Sequence, residues 1–229
     1  LQEYANRREG MRAESTANAR TRMAGASRFL GCLLPALLSC GCTVGNKIQY
    51  SGGTPDIGGA GTQAVAVATH DQRPYVVSAD KPVTFVGLQR GGFGVPFNAT
   101  TASGAPLADD FSEAIQAALD AKGFAAKVVR VAPAESPATV ASRLNAEGAA
   151  REVWLTLHEW KSDTYNNTSL IYDVSLRILD GSGAPLAEET FSGREDLGSS
   201  MLNPPVHAKK AVPDAFRRKL EEWFSNPVV

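Results

Sequence analysis

The sequence predicts one α+β domain: a mixed, mostly antiparallel sheet with about three helices packed on one face. Three observations predict it. Runs rich in β-branched and aromatic residues recur between residues 64 and 192. Segments with apolar residues at helical spacing fall between and after them. No internal repeat and no second set of elements appears, so helices and sheet must cover one another.

The first expected strand is Ala64-Val65-Ala66-Val67-Ala68, ending before His70-Asp71-Gln72-Arg73-Pro74, where proline imposes an extended or turn geometry. Tyr75-Val76-Val77 and Val83–Leu88 read as further strands because of their β-branched and aromatic content. Residues 89–106, with Gly91-Gly92-Phe93-Gly94 and Pro96, read as a long loop carrying two exposed aromatics, Phe93 and Phe97.

Leu107–Lys122 is a helix, since Leu107, Phe111, Ile115 and Leu119 form one stripe, Asp109 and Asp110 suit its positive end, and Gly123 stops it. Val128–Val131 is the next strand. Ser136-Pro137 then caps a helix over about Ala138–Ala146. Glu152–Trp160 alternates, which places Val153, Leu155 and Leu157 on one face and both Trp154 and Trp160 on the other. Ser169–Leu179 alternates in the same way. Asp180-Gly181-Ser182-Gly183 turns it back into Leu186–Ser192. A last helix over His207–Ser225 carries Val212, Phe216, Leu220 and Trp223 on one stripe, with Pro213 set to delay or bend it.

Composition excludes several functions. A net charge of -1, with both signs well mixed, provides no electrostatic ground for a nucleic-acid partner. All three cysteines, Cys32, Cys40 and Cys42, precede residue 43, so the folded part holds neither a disulfide framework nor a cysteine zinc site. His70, His158 and His207 are far apart and lack metal-ligand spacing, so no metal or cofactor is expected. Gly198-Ser199-Ser200 lacks the closing glycine of a hydrolase elbow, and no enzyme is predicted. The candidate contacts for a partner or ligand are Phe93 and Phe97, with Asp71 and Arg73 as a polar pair. For that pair a turn fixed by an ion pair is the competing reading.

The N-terminal part gives an address. Residues 1–28 are polar and arginine-rich, and Phe29–Leu38 is an apolar run about half as long as a membrane span. Small residues follow at Ser39, Cys40, Gly41 and Cys42, the order of a secretory signal over residues 1–39. Met11 and Met23 both fit as initiators, so residues before Met11 are not expected to belong to the fold. Residues 40–63 then read as a Gly/Ser-rich flexible tether, and 64–229 as the domain.

Leu37-Leu38-Ser39-Cys40 resembles a lipobox, the motif at which bacterial lipoproteins are acylated and cut. The resemblance makes Cys40 the lipid-bearing residue, with Cys42 as the alternative. Multiple acyl chains anchor stably, at about 0.8 kcal/mol per buried methylene. Lipobox, tether, Asp71-Gln72-Arg73-Pro74 and element order together resemble the YajG-like bacterial lipoproteins over about residues 40–225. That resemblance implies a domain on the outer membrane, facing the periplasm. Glycine rather than aspartate at position 41 fits the outer-membrane sorting pattern of enterobacterial lipoproteins. The function expected is non-enzymatic: binding an envelope protein partner or supporting an envelope assembly. The alternative is an accessory lipoprotein that carries a small lipid or glycan for a transporter.

Overall fold

The computed structural model describes residues 45–51, 53–91 and 93–225; the signal segment, Cys40 and Cys42 lie outside the described residues. Its organising element is a long strand. β1 (Lys47–Ile48), β2 (Ala64–Asp71), the single turn α1 (Pro74–Val77), β3 (Phe85–Arg90), β4 (Pro96–Thr101), α2 (Leu107–Ala121), β5 (Ala125–Val128) and α3 (Pro137–Asn145) come first. Then follow β6 (Arg151–Thr164), β7 (Asn167–Asp180), β8 (Pro185–Ser199) and α4 (Pro204–Phe224).

One edge of β6 pairs antiparallel with β7 over its whole length, and β7 pairs antiparallel with β8. The other edge of β6 is shared. β2 runs parallel to its first half, from Val65 opposite Arg151 to Asp71 opposite Leu157. β3 runs parallel to its second half, from Gly87 opposite Ser162 to Gln89 opposite Thr164. The sheet therefore forks, with β5 beyond β2 and the pair β4–β1 beyond β3. β2 is buried on both faces from Val65 to Asp71, and its apolar run Ala64–Ala68 suits a central parallel strand.

The main core lies under α2 and α4. Leu107, Phe111, Ile115 and Leu119 meet Val65, Val67, Leu155 and Leu157, and the α4 stripe of Val212, Phe216, Leu220 and Trp223 meets Trp160, Leu170 and Val174. The helix stripes themselves fall where the periodicity places them. One helix is not: α3 packs Val140 and Leu144 on the opposite sheet face, against Ala66, Ala68, Trp154 and Leu179. Helices thus cover both faces, because β2 presents alanines on its second face and an apolar strip there also needs a cover.

Three further expectations are corrected. Tyr75–Val77 is a helical turn, not a strand, since Pro74 opens it at a position where no N–H is needed. Residues 89–106 are not one loop: β3 and β4 form a hairpin whose turn is closed by Gly91 N–H to Val95 O at 2.9 Å, with Gly94 at φ +76°. Residues 45–63 are not a free tether, for Ile48, Tyr50 and Ile57 are buried in the main core and Tyr50 Oη accepts from Trp160 Nε1 at 3.1 Å.

The two tryptophans of β6 also part company. His158 is an extra residue between the pairs Leu157–Val174 and Glu159–Asp173, a β-bulge that reverses the alternation. Trp160 consequently joins Val153, Leu155 and Leu157 under the helices, while Trp154 faces α3.

Candidate functional site

The expected site residues separate into a buried pair and an exposed end. Asp71 is the last β2 residue paired with β6, and Arg73 follows it at the fork, before β3 joins β6. Asp71 is 2% and Arg73 0% exposed. Arg73 Nε and Nη2 donate to the two Asp71 carboxylate oxygens at 2.8 and 2.7 Å, and Nη1 donates to Phe85 O at 2.7 Å and Trp160 O at 3.0 Å. The guanidinium therefore ties β2, β3 and β6 together across the gap. Burial opposes its charge, but the Asp71 carboxylate outweighs that and strengthens its hold on its proton. The Tyr75 ring lies 5.5 Å from the guanidinium carbon, and Tyr75 Oη donates to the Glu159 carboxylate. Nε, Nη1 and Nη2 all donate within the domain, and the contribution of the pair is to hold the hairpin in place.

Phe93 and Phe97, the other expected pair, lie on that hairpin. Phe93 is at its tip and 100% exposed, beside the exposed Val95. Phe97 is half-buried on β4 opposite Gln89. It lines a groove of about 470 Å³ with Asn46, Lys47, Arg90, Pro205 and Lys209. Arg90 is held by a two-bonded ion pair to Asp163 at 2.8 and 2.7 Å, so it is fixed rather than free to sweep. Asn46 Nδ2 donates to Pro205 O at 3.0 Å and joins the chain's entry to the start of α4.

Several elements end at this same place. Thr164 pairs with β3 residue Gln89, and Asn167 pairs with Ser199, so the β6–β7 turn, the β3–β4 turn and the β8–α4 connection lie at one end of the sheet. That connection carries Met201 and Leu202, 98% and 99% exposed, followed by the half-exposed Val206. These residues were missed because a Ser-Met-Leu-Asn-Pro stretch reads as an ordinary turn. The signal was an apolar pair inside it with no periodic partner.

A second feature lies at the far end of the sheet. Ile57, Val65, Leu119, Phe124, Val153, Ile178 and Phe224 border an open, mainly apolar depression of about 360 Å³. Among the described residues no group of three or more His, Cys, Asp or Glu side chains is placed to hold a metal ion, and no helix is long and apolar enough to cross a membrane.

No protein-family model matches the chain, and no curated protein matches it. Solved structures similar to it include a DUF330-family protein from Xanthomonas campestris, 12% identical, covering 77% of this chain and 90% of that one, with a TM-score of 0.42. Another is a PelC dodecamer from Paraburkholderia phytofirmans, 14% identical, covering 76% and 96%, with a TM-score of 0.38. A third is lipoprotein GNA1162 from Neisseria meningitidis, 14% identical, covering 69% and 99%, with a TM-score of 0.26. At these identities and scores each is a likeness from which no function is taken.

Proposed function

We propose that the chain is a lipid-anchored, non-enzymatic envelope domain, YajG-like in kind, held on the outer membrane and facing the periplasm. It acts by binding an envelope protein partner and so supporting an assembly, without metal or cofactor. One observation carries this reading. Gly45, Asn46 and Lys47, where the described chain begins, line the groove of Phe97 on the hairpin that presents Phe93. Asp71 and Arg73 serve the contact from within, by fixing the hairpin against β6. The groove's rim of Lys47, Arg90 and Lys209 suits a partner segment with apolar and acidic side chains.

Photo-crosslinking in cells tests it. A photoreactive residue in place of Lys209 should give one discrete protein adduct in the envelope fraction, and the same residue in place of Leu186, at the start of β8 on the far end of the sheet, should not. Adducts at neither position would overturn the partner reading.

A second reading, carriage of a small apolar ligand, draws on the depression beside Phe124 and Phe224, whose volume is in the range of ligand pockets. Its discriminating result is a fluorescent fatty acid displaced by Val153→Trp, a substitution that fills the floor.

A further inference from the structure

We infer that the hairpin tip and the β8–α4 connection dock on the bilayer that carries the protein's own anchor, with Phe93, Val95, Met201 and Leu202 set among the lipid headgroups. This deepens the reading above and rests on its lipid anchor: Phe93 belongs to the membrane, and Phe97 stays with the groove.

Chain length decides the matter. The register that sets Lys47 opposite Thr100 carries back to Gly45 beside Asn98, and a side chain at Gly45 would meet Asn98 O. β1 runs parallel to β4, so Gly45, where the described chain begins, lies two strand positions from the β4 start at Pro96, which leads from the hairpin tip. Two residues of strand from Asn98 to Pro96 cover about 7 Å, and the turn projects beyond that. From Gly45 back to Cys40 is five residues, which reach at most about 18 Å. From Cys42 it is three, reaching at most about 11 Å. Once the hairpin's own projection is subtracted, little slack remains with either cysteine. The headgroup layer on each side of the hydrocarbon core is itself roughly 5–8 Å deep. A domain held so closely has that end within reach of the headgroups.

The chemistry of the end agrees with its position. Four fully or largely exposed apolar side chains lie on two loops at the same end of the sheet, where Lys47 and Lys209 are exposed cations at the rim of the Phe97 groove. Apolar tips with flanking lysines are the composition that binds an anionic headgroup surface. The opposite end exposes only Leu186 among large apolar residues of its turn, beside Glu188 and Glu189.

The test uses the full lipidated protein in vesicles of phosphatidylethanolamine and phosphatidylglycerol with brominated acyl chains. The native Trp154, Trp160 and Trp223 are 5%, 0% and 0% exposed, which keeps the background small. In Phe93→Trp and Leu202→Trp the new emission should be largely quenched, and in Leu186→Trp it should stay unquenched and open to acrylamide. A protein that floats with the vesicles but shows no more quenching at 93 and 202 than at 186 overturns the docking and leaves the anchor standing. A protein that carries no acyl chain and does not float overturns the anchor, and the docking with it.

Discussion

Arg73→Ala removes the buried guanidinium from the sheet fork and leaves the Asp71 carboxylate, 2% exposed, facing a cavity. Two charge-assisted bonds to Asp71 disappear, together with the donors to Phe85 O and Trp160 O. Breaking a buried pair by deleting one partner costs about 3–5 kcal/mol, chiefly because the remaining charge is stranded. For a domain of this size, each kcal/mol lowers Tm by about 2–4 °C, so a fall of about 6–20 °C is expected. Thermal unfolding followed by tryptophan fluorescence measures the fall in Tm, and urea unfolding the loss in free energy. The double variant Asp71→Leu with Arg73→Met keeps the volume and leaves no charge behind. It should recover more than half of the loss, short of the full amount because the two carbonyls still lack donors. If Arg73→Ala costs less than about 1 kcal/mol, the value of an exposed ion pair, the pair does not join the fork as described.

Other variants probe separate parts of the fold. Tyr50→Ala should cost about 3–5 kcal/mol, because its ring packs edge-on against Phe216 in the core; a loose tether there would show no loss by denaturant titration. Burial raises the Asp110 carboxyl to about 6, above an unfolded value of about 3.9, so the native state binds the proton more tightly. Its stabilising contribution is full below about pH 4 and is lost as pH rises through 6. Asp110→Asn should gain on wild type over that interval in urea midpoints taken across pH, and a gap moving the other way would refute the assignment. Phe93→Ser should leave stability within about 0.5 kcal/mol of wild type by calorimetry, since the side chain touches nothing.

The parts of the fold legible in the sequence were those with strong periodicity. Leu107, Phe111, Ile115 and Leu119 announce α2, and Val212, Phe216, Leu220 and Trp223 announce the buried stripe of α4 despite Pro213 within it. Alternation failed where one residue was inserted: nothing in Leu157-His158-Glu159 marks His158 as a bulge, and the bulge decides which face Trp160 takes. β4 was hidden because Gly91, Gly94 and Pro96 are loop residues by composition. A proline is nevertheless tolerated as the first residue of a strand that has little pairing on its outer edge. β1 is too short for any pattern, and its place in the core is seen only through the burial of Ile48 and Tyr50.

The site was legible in part for the same reason. Phe93 stood out as an aromatic among glycines, and the structure exposes it fully. Asp71 and Arg73 stood out as a charged pair before proline, and the structure turns them inward to close a sheet. Met201, Leu202, Lys47 and Lys209 come from distant parts of the chain, and only the topology brings them to one end.

Anchoring is tested most directly by intact mass and membrane fractionation of the wild type beside Cys40→Ala and Cys42→Ala. Acyl mass and membrane association lost with Cys40→Ala alone is the predicted result. Both variants processed into a soluble form without added acyl mass, like the wild type itself, would contradict it.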